Sequence, residues 1–191
     1  MVIQRRSDVT ADDPGDVCIK TPHLVIREFE PDDWQALHAF MSLPEVSEYR
    51  PNDVMNEHAA REFIRSAIAH RKADKRGRWH LAITLKTGEL IGMVALGVVS
   101  EDTGGLGYAL HPSYWNHGYT TETVATILQF GFETLDLHRI RAHCHIDNIA
   151  STRVMEKCGM RREGTHLEHT LKNGQWMDIH VYAILQREYA K

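Results

Sequence analysis

Twice in this sequence a strand-like run passes through a brief loop straight into a helix, first across residues 108–122 and again across 139–160. Such a junction turns several backbone N–H groups outward at the positive end of a helix dipole, a setting that suits a phosphate. In the first, Gly118 removes the side chain that would hold a ligand off the backbone, and Thr120 and Thr121 offer hydroxyls. In the second, the strand ends in Asn148, Ser151 stands one turn into the helix, and Gly159 closes it. Local chemistry alone accounts for that pattern as a capped helix, with Asp147 or Asn148 at its N-terminus and glycine at its C-terminus.

The flanking segments supply a mixed α/β order. Alternation over residues 23–27 predicts a strand, and Pro31-Asp32-Asp33 opens a helix whose apolar face is Trp34, Leu37, Phe40 and Met41. A loop bounded by Pro44 and Pro51 leads to a second helix, from Glu57 toward Gly77, with Ala60, Phe63, Ile64, Ala67 and Ile68 on one face. Strands are expected at 79–85, 90–99 and 105–110, the first two joined by the turn Lys86-Thr87-Gly88-Glu89. The spacing of Val124, Ile127, Leu128, Gly131, Phe132 and Leu135 predicts a third helix. After it come a strand over 139–146, a helix over 149–158, and a hairpin over 165–185 turned at Lys172-Asn173-Gly174. This order is α/β in class, and it makes residues 23–191 one domain. Residues 1–22 show no sustained periodicity and read as a flexible N-terminal arm.

Composition narrows the function classes. The formal net charge of −4 gives no basis for direct nucleic-acid binding, and no apolar run approaches the ~20 residues of a membrane span. Cys18, Cys144 and Cys158 are an odd set without metal-like spacing, and the N-terminus lacks a secretory signal, so a reducing, cytoplasmic setting is expected. The 13 histidines include no HxxxH or HExxH pair, so no metal is expected either.

Taken together, the motifs resemble the GNAT superfamily of N-acetyltransferases, and within it the RimJ/RimL-like branch. Leu24-Val25-Ile26-Arg27 with Pro31-Asp32-Asp33 is similar to the family's opening. Leu90-Ile91-Gly92 and Leu106-Gly107-Tyr108 resemble its central hairpin, and Gly118-Tyr119-Thr120-Thr121-Glu122 its pyrophosphate loop. Asn148-x-x-Ser151 with Glu156-Lys157-x-Gly159 is the most diagnostic piece. Trp115 and Thr120 depart from the usual loop residues, and Gly105 stands where relatives often carry an acid.

The resemblance implies a mostly antiparallel mixed sheet of about seven strands, with a splayed parallel pair and about four flanking helices. It implies acetyl-CoA as the acetyl donor, held by Leu110, Asn116, His117, Gly118, Tyr119, Thr120, Thr121, Asn148 and Ser151, with no metal. The pantetheine would lie along the strand at Leu110, and a backbone N–H near Leu110 or His111 would stabilise the oxyanion. A primary amine would attack the thioester directly, with Ser151 protonating the departing thiolate and Cys144 a small core residue rather than a nucleophile. For the general base the sequence leaves open Glu101 or Asp102, His143, His145 or His111, or no residue at all. An α-amine of pKa roughly 8 needs little help, which favours a protein N-terminus as acceptor. A small amine (polyamine, amino acid or aminoglycoside-like) and a non-catalytic acyl-CoA sensor are the other readings. Trp34, Tyr49, Trp79 and Trp176 are candidate walls of the acceptor pocket, and the resemblance implies a homodimer.

Overall fold

The computed structural model describes residues 2–3, 15–51 and 53–189. Its strands are β1 (Val2–Ile3), β2 (Cys18–Lys20), β3 (Leu24–Glu28), β4 (Arg78–Leu85), β5 (Leu90–Ser100), β6 (Thr103–Leu110), β7 (Arg139–His145), β8 (Arg161–Lys172) and β9 (Gln175–Leu185). Eight of them, with the two-residue β1 added at one edge, form a single sheet in the order β1-β2-β3-β4-β5-β6-β7-β9-β8. Only β6 and β7 run parallel; every other neighbour pair is antiparallel.

Helices cover both faces of this sheet. On one face lie α1 (Trp34–Met41), α2 (Pro44–Ser47) and α3 (Glu57–Arg71), where Leu37, Phe40, Ala60, Ile64 and Ala67 close over Ala82, Met93 and Ala109. On the other lie α4 (Tyr119–Gln129) and α5 (Ile149–Lys157), whose Val124, Ile127 and Met155 join Leu81, Ile83, Val94, Leu96, Leu106 and Ile140. Strand alternation makes this division: Trp79, Leu81 and Ile83 of β4 belong to the α4 side, Ala82 to the α1 side. Because both faces are covered, the central strands read as nearly continuous apolar runs. A short α6 (Gln186–Tyr189) ends the described chain.

The structure departs from several sequence expectations. Of the arm expected over 1–22, residues 4–14 lie outside the described residues, while β2 pairs with β3 and Val17 and Ile19 are buried. That strand is too short for periodicity to reveal; the open edge of β3 supplies its hydrogen-bond partners. Helix α3 stops at Arg71 rather than Gly77, and α4 passes into a π-helical turn at Phe130–Thr134. Strand β8 starts at Arg161, four residues before the expected 165, and register shifts accompany Glu168 at φ 49°. Among the described residues the sheet thus has more strands than the seven expected, and there are six α-helices rather than four, the extra ones being short.

The feature that places the site is the end of the parallel pairing. β6 and β7 are in register only from Thr103↔Arg139 to Leu106↔Ala142. Beyond that point β6 stays with β5 as far as Leu110, while β7 stays with β9 as far as His145. Two strands held by different neighbours separate, and a wedge opens between them.

Candidate active site

Backbone alternation decides which groups face the wedge. The His111 N–H donates to the Ile91 carbonyl at 2.8 Å, and the Val98 N–H donates away from β6, to Gly77, also at 2.8 Å. The odd-numbered residues of β6 therefore bond to β5, leaving the N–H and C=O groups of Tyr108 and Leu110 directed into the wedge. On the opposite wall the Ile146 N–H donates to Asp178 at 3.2 Å, so the backbone of His143 and His145 faces the wedge as well. Backbone polar groups in a protein interior are nearly always paired, so these two walls suit an extended amide-bearing ligand. The His111 N–H, expected as one of two oxyanion donors, is already engaged by the Ile91 carbonyl, whereas that of Leu110 is directed into the wedge.

The loop beyond β6 is shaped for an anion. A 3-10 turn at Pro112–Tyr114 is followed by two left-handed residues, Asn116 at φ 64° and Gly118 at φ 81°. Gly118 is the N-cap of α4 and offers no side chain to the helix end. The first intrahelical bond is from the Glu122 N–H to the Gly118 carbonyl, 3.0 Å, so the N–H groups of Tyr119, Thr120 and Thr121 lack helical acceptors. The indole of Trp115 donates to the Leu110 carbonyl at 2.8 Å, and His117 donates Nδ1–H to the Trp115 carbonyl at 2.7 Å while stacking on Tyr119. Glu122 does not fill the helix end. Its carboxylate turns back to accept from the Thr21 hydroxyl at 2.5 Å and the His23 N–H at 2.9 Å. Burial pushes the Glu122 pKa upward, but the hydrogen bonds from Thr21 and His23 outweigh it and hold it below the usual range.

Helix α5 supplies the far wall. The Asn148 side chain accepts from the Ser151 N–H at 2.9 Å, so Asn148 is the N-cap and fixes Ser151 within the first turn. Both residues line a cavity of about 350 Å³ at the wedge, together with Tyr108, Cys144, His143 and His145. The cavity continues to the α1 side of the sheet, where Tyr49, Arg50, Phe63, His80, Met93, Met177 and Ile179 enclose it.

Residues 23–161 match the acetyltransferase (GNAT) domain family, across the β6–β7 wedge, the α4 loop and α5. The chain belongs to the GNAT family of acetyltransferases. It is 37% identical to YnaD of Bacillus subtilis, an uncharacterized N-acetyltransferase, over 90% of this chain and 98% of that one. A GNAT-family acetyltransferase from Bacillus anthracis superposes with a TM-score of 0.80 at 35% identity, covering 90% of this chain and 100% of the other. RimJ of Mycobacterium smegmatis, solved in complex with CoA-disulfide, shares the fold at 24% identity, with a TM-score of 0.78 over 88% of this chain and 84% of that one. The protein is thus an acyltransferase that uses acetyl-CoA.

Not every residue singled out in the sequence reaches this GNAT site. Glu101 and Asp102 occupy the turn between β5 and β6, at the end of β6 remote from Leu110, and do not line the cavity. Gly105 lies on β6 beside Val99, whose Cγ1 would stand 3.2 Å from an added Cβ, so an acid here would meet the neighbouring strand. His111 accepts from the Ser113 N–H at 3.1 Å and faces Phe40 and Tyr114. Of the four aromatic residues, Tyr49 alone lines the cavity; Trp79 is a core residue at 3% exposure, Trp34 stacks beneath Arg61, and Trp176 is exposed. Cys144 is buried, as its strand position suggests, and burial raises its thiol pKa.

Two further residues of the site have no role assigned to them by the sequence. Tyr108 donates from its hydroxyl to the Ser151 carbonyl at 3.4 Å, and burial pushes its pKa up to about 12. His80 lines the cavity with its ring 5.1 Å from that of Phe63, and burial pushes its pKa down to about 4. Both are ordinary strand residues in sequence; only the inward turn of their faces signals them. Among the described residues no group of three or more His, Cys, Asp or Glu is disposed to hold a metal. No helix among the described residues is long and apolar enough to cross a membrane.

Proposed function

We propose that this acetyltransferase acts directly on an α-amine, foremost the N-terminal α-amine of a protein as in the RimJ/RimL-like branch, with Ser151 as the acid that protonates the departing thiolate. The observation that carries the reading is the wedge, whose two walls are strands no longer paired with each other and converge on Ser151 at the start of α5. Acetyl-CoA supplies an activated thioester. The Tyr108 backbone would hold its pantetheine amides, Asn148 would contact that arm through its amide NH2, and the α4 N–H groups with Asn116 and His117 would hold the pyrophosphate. The Leu110 N–H is placed to stabilise charge developing on the carbonyl oxygen.

The acceptor side of the cavity is lined by neutral and basic residues; among the described residues no Asp or Glu side chain lines it. That lining suits an amine of low pKa better than a polycation. His145 lines the cavity with its Nδ1 accepting the Asp147 N–H at 3.1 Å. His143 lines the same cavity and is the second histidine able to relay the ammonium proton. Burial lowers its pKa, with His169 and Arg141 adding to the effect, which favours the neutral ring but weakens it as a base.

Thermal shift with acetyl-CoA, followed by thiol release against peptides with free α-amines and against lysine side-chain and polyamine acceptors, tests the reading. A midpoint rise together with α-amine-dependent thiol release is expected. Faster release with polyamines would overturn the acceptor class, and no shift would overturn the placement of the phosphates.

A further inference from the structure

Among the described residues every arginine that is not exposed is matched to an acid, with one exception, and some exposed ones are matched too. Arg27 pairs with Asp33, Arg76 with Glu28, Arg71 with Asp16, Arg139 with Glu163, and Arg161 with Glu163 and Glu188. Arg50 is different. It is part-buried, lines the acceptor side of the cavity with Tyr49, Met177 and Ile179, and forms no ion pair among the described residues. Its one side-chain hydrogen bond is from Nη1 to the sulfur of Met41 at 3.4 Å, a weak acceptor. Nothing opposes the effect of burial on its guanidinium, which lowers its pKa.

A part-buried guanidinium without an anion is costly unless something else completes it. The position is held firmly. The Arg50 N–H donates to the Ser47 carbonyl at 3.0 Å, Pro51 follows, and Lys172 reaches across from β8 to the carbonyls of Ser47 and Glu48. A fixed planar fork of donors in a pocket without carboxylates matches an oxyanion. The phosphates of CoA do not need it, because the α4 helix end that suits them belongs to the opposite layer of the sheet.

We propose that Arg50 forms an oxyanion subsite in the acceptor pocket, so that the amine acetylated here carries a carboxylate or phosphate within a few bonds of its nitrogen. The proposal rests on the α-amine reading above and narrows it. A free amino acid meets the requirement through its α-carboxylate, a peptide through an N-terminal Asp or Glu, and a phosphorylated amine through its phosphate.

The test uses the full chain as wild type, Arg50→Met and Arg50→Lys. Thiol release from acetyl-CoA is measured with matched pairs: amino acids against their α-amides, Asp- or Glu-initiated peptides against Asn- or Gln-initiated ones, and O-phosphoethanolamine against ethanolamine. The wild type should prefer the anionic member of at least one pair by about tenfold or more in kcat/KM. Arg50→Met should reduce that preference to within about twofold, mainly through KM, and Arg50→Lys should restore part of it. Which pair responds identifies the source of the oxyanion. Calorimetric binding of acetyl-CoA should be unchanged in both variants; loss of binding in the wild type would instead defeat the coenzyme reading. Thermal-shift titration with the anionic acceptors alone reads the subsite without turnover, and a rise in wild type that vanishes in Arg50→Met supports it. Equal rates for the two members of every pair, equal losses for both members in Arg50→Met, or no Arg50-dependent binding of any anionic acceptor would overturn it.

Discussion

The indole N–H of Trp115 donates to the carbonyl of Leu110 across 2.8 Å, tying the loop that starts α4 to the last residue of β6. One bond thereby fixes the proposed phosphate site relative to the proposed pantetheine wall. Trp115 occupies a place where the family usually carries other side chains, and here it acts as a brace.

Replacing Trp115 by Phe keeps a ring and removes the donor. A hydrogen bond of this kind contributes about 1 kcal/mol net, so acetyl-CoA should bind about fivefold more weakly by titration calorimetry. Because the side chain is 41% exposed, thermal stability should change little. An unaltered dissociation constant would show that the loop holds its shape without the brace.

Gly118 sits at φ 81°, and an added Cβ would meet nothing within 4 Å. The cost of Gly118→Ala is therefore conformational, about 1–2 kcal/mol for a left-handed non-glycine residue. The unfolding midpoint should fall by a few degrees, about 2–4 °C per kcal/mol in a chain of this size. Acetyl-CoA should protect the variant less than the wild type in the same scan.

Ser151→Ala should lower turnover about a hundredfold while leaving acetyl-CoA affinity within about twofold, as expected for loss of a general acid. The helix cap survives the change, because Asn148 bonds the backbone N–H of position 151. Tyr108→Phe is the informative partner. The Tyr108 hydroxyl, pushed up to about 12, is protonated at neutral pH and lies beside Ser151. A hundredfold loss in Tyr108→Phe with none in Ser151→Ala would transfer the acid role to the tyrosine.

His80 introduces a pH dependence of stability. Burial, reinforced by His70, Arg78 and Arg76, holds its pKa at about 4 against an ordinary value of 6.5. Its Nδ1 is buried without a hydrogen-bond partner. Between these two values the unfolded chain binds a proton that the folded chain does not, so stability rises with pH across that window. The contribution is fully present above about pH 6.5 and is lost as pH falls toward 4; discounted for partial solvent access, it is on the order of 1–2 kcal/mol. Urea unfolding at pH 7 and pH 5 should show this slope, and His80→Leu should flatten it.

The pair Arg76–Glu28 is bidentate, with side chains 3% and 7% exposed, and Glu28 also accepts the Val17 N–H at 3.1 Å. Glu28→Gln leaves a buried guanidinium uncompensated, so stability should fall by about 3–5 kcal/mol. The pair lies outside the cavity lining, so kcat of the folded variant should be unchanged.

The sequence by itself determined the parts of this protein that rest on local chemistry. Gly118 could be read as a helix entry because few other residues adopt its backbone, and Asp147 or Asn148 as a cap because such side chains reach the N–H groups of the first turn, the structure selecting Asn148. The strands of the central hairpin were legible for the same reason: their alternation and turn residues lie within a few positions of one another. The tertiary structure alone decided the rest. Whether β2 joined the sheet depended on the open edge of β3, and Glu122 found Thr21 and His23 about a hundred residues away. Tyr108, His80 and Arg50 acquired their environments only when β4, β6 and the segment after α2 were brought around one wedge. Burial and pairing are properties of neighbours distant in sequence, and periodicity carries no record of them.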